Sequence, residues 1–232
     1  MQISKSYGVS TIEFVVVFPI ALLMLLIVIQ LGFVYMAKLA LNHATFIAAR
    51  HGATKGGRES EIRAAMVKEL VPFYQDGTQT HAGLRIAQAY IMAKLDTSVW
   101  PQALLVKRLS PNADTLSDFG VKIDGKQQIP NDNLQWRSNA VGPKSGVNIQ
   151  DANLLKIKVV YGYKLKVPLM GALVRAMMCG GLAPMQGWGS DVLPWTALPQ
   201  NFELCSAYYS QDRIPIESYA IVQMQSPFDD TP

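Results

Sequence analysis

Gly8 and Glu13 are the residues of this chain whose type and spacing offer chemistry. A short polar leader carrying Lys5 ends at Gly8. Val9 to Ile12 follow, then Glu13 and Phe14, and no further charge occurs until Lys38. A charged side chain deep in a bilayer costs on the order of 2.5–3.5 kcal/mol, and where one persists it tends to be functional. A glycine just upstream of that acid, behind a basic leader, points to a cleavage site on the cytoplasmic side of a membrane. The chemistry would be done to the chain, not by it.

The remaining reactive side chains form no catalytic set. Cys179 and Cys205 are the two cysteines. Outside the cytoplasm they can close a loop of about 25 residues, worth roughly 3 kcal/mol on a chain-entropy model. In the cytosol they would be two buried thiols. No C-x-x-C pair and no Cys/His cluster predicts a metal site, so neither metal nor cofactor is expected. His43 and His51 lie two turns apart and His81 stands alone, which fits surface or interface positions. Nucleophile-elbow, P-loop, dinucleotide-binding and zinc-protease motifs are missing, so no enzyme and no small-molecule substrate is expected. Asp229 and Asp230 read as a solvated tail, without the ligand spacing of a calcium loop.

An element must place Glu13, and the sequence predicts a long helix. Phe14 to Ala37 is an uncharged run of about 24 residues. At 1.5 Å per residue it measures about 36 Å, more than the ~30 Å hydrocarbon core of a bilayer. A removable secretory signal has an apolar stretch of only ~7–15 residues, so the run reads as a transmembrane segment over about 14–37. Pro19 lies inside it, which a membrane helix tolerates when neighbours satisfy the freed carbonyl. Lys5 on one side and Lys38 and Arg50 on the other leave the positive-inside count undecided. The large C-terminal part and the single apolar segment fit an N-in, C-out single pass. Leu39, Leu41, Ala44, Ile47 and Ala48 continue the helical spacing, and Gly52, Gly56 and Gly57 end it.

Gly8, Glu13-Phe14, Pro19, Gly32, Tyr35 and Ala48-Ala49-Arg50-His51-Gly52 together resemble the TadE-like family of pseudopilins, found in the tight-adherence (Tad, or Flp) branch of type IV pilus systems. The resemblance covers roughly the first fifth of the chain. It implies cutting between Gly8 and Val9 by an aspartate-type prepilin peptidase. Glu13, the fifth residue of the mature chain, would lie about 6 Å from the new amino terminus by helix rise. There it complements the helix dipole and can neutralise the amine of its own chain or of a neighbour. Glu13 and Phe14 are thus the implied assembly and processing signal. Implied partners are the membrane, the prepilin peptidase, other pilins or pseudopilins and the pilus assembly platform.

Downstream, helical spacing covers Arg58–Tyr74 and Gln79–Leu95, the latter with Leu84, Ala87, Ile91 and Leu95 on one stripe. Leu104–Leu109 reads as a strand, and Gly120–Ile129 as a hairpin around Asp124-Gly125. Pro130–Asp151 is polar. Leu154–Val167 alternates Leu155, Ile157, Val159, Tyr161, Tyr163, Leu165 and Val167 against lysines, the pattern of a half-buried antiparallel strand. Leu169–Met178 reads as a short apolar helix or interface patch. Leu204–Ser210 and Ser218–Gln225 read as strands. Met170–Trp195 is rich in Met, Gly, Pro and Trp, as core under a long loop or as a partner surface.

The expected fold is α+β: a long N-terminal helix, then helices packed on an antiparallel sheet in a pilin-like plan. The expected divisions are a leader (1–8), the long helix (9–52) and a periplasmic domain (53–232). The roughly 180 residues left after the helix suffice to bury about 70% of their unfolded surface. The net charge of +4 is mild and scattered, which gives no nucleic-acid arm. The function expected is that of a minor pseudopilin in the bacterial inner membrane, with its C-terminal domain in the periplasm or carried into a pilus. The competing expectation is an uncleaved single-pass envelope protein with a periplasmic binding or sensory domain.

Overall fold

A computed structural model describes residues 9–78, 80–123, 125–179 and 202–229. Gly8 and the rest of the leader, Asp124 of the expected turn, the 180–201 stretch with Met185, Trp188 and Trp195, and Asp230 lie outside the described residues. The chain divides into two compact units, Met1–Met36 with Lys164–Ile214, and Ala37–Tyr163 with Pro215–Pro232.

One long helix, α1 (Val9–Ala53), opens the chain. Its part in the second unit buries Ala37, Leu41, Ala44, Thr45, Ala48, Ala49 and Ala53. These recur every three or four residues, and their small size lets other elements come close. Gly56 and Gly57 then take φ of +71°, a left-handed conformation that side chains resist, and Gly57 N–H donates to the Gly52 carbonyl at 2.9 Å. The helical stretch expected over 58–74 is two helices, α2 (Glu59–Glu69) and α3 (Val71–Tyr74). Pro72 supplies the reason, because it has no N–H to continue the ladder.

Helix α4 (Ala82–Val99) is present, but its large apolar stripe faces outward. Leu84, Ile91 and Leu95 are 56%, 54% and 52% exposed, while Ala89, Ala93 and Thr97 are buried. The small face packs on α2 and α3. The Arg63 guanidinium fixes the end of α4 through the carbonyls of Thr97 and Leu104. Ala93→Leu should therefore cost about 1–3 kcal/mol by overpacking, whereas Leu95→Lys should stay within about 0.5 kcal/mol. Urea unfolding of the full chain in detergent checks the order. A larger loss for Leu95→Lys would contradict this burial.

The main sheet has three strands in the order β1-β4-β5: β1 (Leu104–Ser110), β4 (Leu154–Lys164) and β5 (Arg213–Gln223). β1 runs antiparallel to β4 with Leu104 opposite Tyr161 and Val106 opposite Val159. Leu155, Ile157, Val159, Tyr161 and Tyr163 are buried, as the alternation predicts. The strand stops at Lys164, short of the expected Val167. Beyond it, Leu165 N–H donates to the Asp212 carbonyl (2.9 Å). A second antiparallel sheet joins β2 (Val121–Ile123), β3 (Lys126–Ile129) and β6 (Phe228–Asp229). Its hairpin is the expected one, with Gly125 at φ +78°.

Two short helices, α5 (Ala113–Phe119) and α6 (Ile149–Ala152), were not legible in the hydrophobic pattern. Both are set by capping: the Asn112 side chain accepts from Thr115 N–H (2.9 Å), and that of Asn148 from Asp151 N–H (2.7 Å). In the first unit, α7 (Met170–Met178) is helical as expected. The strand expected over Leu204–Ser210 is instead helix α8 (Phe202–Ala207) followed by a 3-10 turn at Tyr209–Gln211. The Tyr208 N–H donates to the Leu204 carbonyl at 2.9 Å, a bond of helical spacing that satisfies the backbone within the segment instead of across a sheet.

Candidate membrane anchor and processing site

The first half of α1 carries the candidate site. Val9 is its first residue. Glu13 lies one turn on, with its carboxylate exposed. Phe14 stacks on Phe18, one turn further along, with ring centroids 5.1 Å apart. Pro19 follows inside the continuous helix. From Phe14 to Leu25 every residue is exposed, around the whole circumference. Apolar area left in water costs on the order of 25 cal/mol per Å², so the surface suits an apolar surrounding. Among the described residues this is the helix long and apolar enough to cross a membrane, and its apolar window is almost wholly uncovered. The anchor is consistent with membrane attachment.

Gln30 interrupts that surface. It is only 6% exposed, and its side-chain oxygen accepts the Val167 N–H at 3.0 Å. Sequence reasoning missed this contact, although a lone amide in an uncharged run was a signal for it.

Where α1 regains charge, polar bonds replace apolar surface. Lys38 donates its ammonium to the Glu217 carbonyl, and Ser218 Oγ donates to Asn42 Oδ1 at 3.0 Å. The Glu217 carboxylate meets Lys158 Nζ at 2.7 Å and accepts from the Tyr219 hydroxyl at 3.0 Å. The Lys158 hydrogen bond holds the Glu217 carboxyl below its ordinary range, and Glu217 in turn raises Lys158. This cluster docks the helix.

Asp229 is not a solvated tail residue. It is buried in β6, and the Arg58 guanidinium grips both its oxygens at 3.0 and 2.8 Å. The Asp229 carboxylate raises the Arg58 pKa by hydrogen bond and charge. Arg108 stacks over Phe228 beside it, 4.6 Å from the ring centroid. The sequence carried the acid but not its partner, which lies 171 positions away. His51 lies 3.6 Å from Glu61 on the surface. No group of three or more His, Cys, Asp or Glu side chains among the described residues could hold a metal ion.

Cys179 and Cys205 are joined in a disulfide, with Cα atoms 5.6 Å apart and 26 positions of separation. Closing a loop of that size limits the unfolded chain. Cys205→Ser should therefore lower stability by roughly 3 kcal/mol on the entropic account. The check is a shift of the urea midpoint that is absent when both proteins are compared under reductant with Cys179 also replaced.

Comparison with known proteins adds one finding. Residues 8–50 match the family model described as TadE-like protein, roughly a fifth of the chain, beginning at Gly8 and running through Glu13, Phe14 and the whole apolar segment to Arg50. No curated protein and no solved structure matches the chain.

Proposed function

We propose that this chain is a minor pseudopilin of a Tad-type type IV pilus, cut between Gly8 and Val9 by a prepilin peptidase and used in pilus assembly, adhesion or secretion. The observation that carries the reading is the coincidence of the TadE-like match, 8–50, with a helix whose first half is bare apolar surface behind Glu13. Cleavage frees an amine about 6 Å from the Glu13 carboxylate along the helix. A carboxylate in lipid pays several kcal/mol of desolvation, which an ammonium of its own or a neighbouring subunit offsets, so the pair sets axial register. The disulfide supports an oxidising compartment for the C-terminal part, hence a periplasmic location and an N-in, C-out anchor. The chain does no catalysis and takes no cofactor in this reading. Its partners are the bilayer, the peptidase, other pilins and the assembly platform.

Fractionation tests the proposal. In cells that make the pilus, an epitope-tagged chain should appear in the sheared filament fraction, and it should remain in the inner membrane when the peptidase is absent. Retention in the inner membrane under both conditions would favour an uncleaved envelope protein.

A further inference from the structure

The depth of Gln30 has a consequence for the segment bonded to it. Gln30 lies 17 residues beyond Glu13, about 25 Å along the helix, and Ala37 lies about 36 Å along it. With Glu13 at one face of a ~30 Å hydrocarbon core, the other face falls near residue 33. A tilted helix moves that face further along α1, and a core thinned to ~27 Å still ends beyond Gln30. Gln30 is thus inside the apolar layer, and Val167, held to it at 3.0 Å, is there with it.

We propose that Leu165–Met178 is a second membrane contact, in which the turn after β4 and helix α7 sit in the acyl region of the leaflet beside α1. The inference rests on the reading of α1 as a membrane span.

Several backbone groups of this segment meet the condition lipid imposes. Bare N–H groups are costly in hydrocarbon. Here Leu165 N–H donates to the Asp212 carbonyl (2.9 Å), Val167 N–H to Gln30, and Met170 N–H to the Val167 carbonyl (3.3 Å). Pro168 has no N–H to satisfy. The oxygen of the buried Gln30 supplies the acceptor that water would otherwise supply to Val167, while its Nε2 has no partner among the described residues. The one charge within α7, Arg175, is paired with Asp212 at 2.7 Å.

The side chains agree. Leu169 takes φ +68°, a left-handed conformation that a branched residue adopts only at a cost on the order of 1 kcal/mol, and it is 70% exposed. In water that strain would present a leucine to solvent without return. In lipid the burial of Leu169 offsets it. Met177 and Met178 are exposed on the same helix. Lys164 precedes the turn and Lys166 lies within it; both are exposed, and their long side chains can extend from it to anionic headgroups.

The test places a nitroxide at Leu169→Cys in the full chain, with Cys179–Cys205 kept oxidised, in vesicles of phosphatidylethanolamine and phosphatidylglycerol at low protein density. Collision rates with oxygen, which concentrates in lipid, and with a water-soluble nickel chelate give the depth. Leu31→Cys on α1 and Trp136→Cys in the polar loop serve as references, both exposed. The expected oxygen-to-nickel ratio at 169 is at least about fivefold above that at 136 and within about twofold of that at 31, since all apolar depths exclude the chelate. A nickel-accessible label at 169 with a lipid-like label at 31 overturns this inference and leaves the anchor standing. A nickel-accessible label at 31 overturns the anchor reading itself. A label at 169 shielded from both reagents also overturns the lipid contact, in favour of a protein surface such as a second copy of the chain.

Discussion

Glu13→Ala should cut incorporation into sheared filaments at least about tenfold while leaving urea unfolding of the rest of the chain within about 0.5 kcal/mol. The separation follows from position. Glu13 is exposed near the start of α1, far along the helix from the buried face that begins at Ala37. Folding of the second unit is therefore expected to be independent of it. Assembly does, in the proposed account, because an amine buried between subunits without its carboxylate leaves a charge unpaired, at a cost of several kcal/mol. Even 1.4 kcal/mol of that cost is a factor of ten in subunit association. Glu13→Gln separates charge from size: it keeps the side-chain length and a hydrogen-bond acceptor, and should fall between wild type and alanine. Filament yield by immunoblot of the shear fraction, alongside a urea melt in detergent, gives both numbers. Normal yield with Glu13→Ala would remove the register role.

Gly52→Val should produce the largest loss of stability among single changes in α1, more than about 3 kcal/mol. A Cβ built at Gly52 lies 2.4 Å from Ile62 Cγ1, 3.0 Å from its Cδ1 and 3.4 Å from Leu155 Cδ2. Ile62 and Leu155 are both fully buried, so neither can swing away. Alanine is the informative companion. Helix propensity favours Ala over Gly by roughly 1 kcal/mol, so a helix on its own would gain. The contact requires α2 or β4 to shift, which costs about 1–3 kcal/mol, and sterics should win. Gly52→Ala is expected to destabilise and Gly52→Val to destabilise further. A stabilised Gly52→Ala would show that α1 and α2 do not approach as closely as described. Gly32, by contrast, has nothing within 4 Å of its Cβ position, and Gly32→Ala should be neutral for folding.

Strong periodic signals carried the fold. The alternation along β4, the length of α1 and the turn at Gly125 each have one physical solution, and the structure adopts them. Side-chain hydrogen bonds carried what periodicity does not reach. α5 exists because Asn112 and Thr115 cap one another, and three apolar positions in seven residues could not announce it. The stripe on α4 was legible, but its direction was not, because the small residues opposite it pack more closely than the large ones could. At the site, Glu13 and the apolar run could be read directly. The bond from Val167 to Gln30 and the grip of Arg58 on Asp229 could not, since each joins residues more than a hundred positions apart. α8 was misread for the opposite reason: Leu204–Ser210 contains enough Leu and Tyr to look like a strand, and only its local backbone bonding, Tyr208 N–H to the Leu204 carbonyl, identifies a helix.

The central claim is that Gly8 marks a cut that frees the amine Glu13 answers. Intact-mass and N-terminal peptide analysis of the membrane-extracted chain, made with and without prepilin peptidase, tests it directly. The account predicts a chain beginning at Val9 when the peptidase is present and one retaining the leader when it is absent. A mature chain that begins anywhere else, or one that keeps its leader in both, would contradict it.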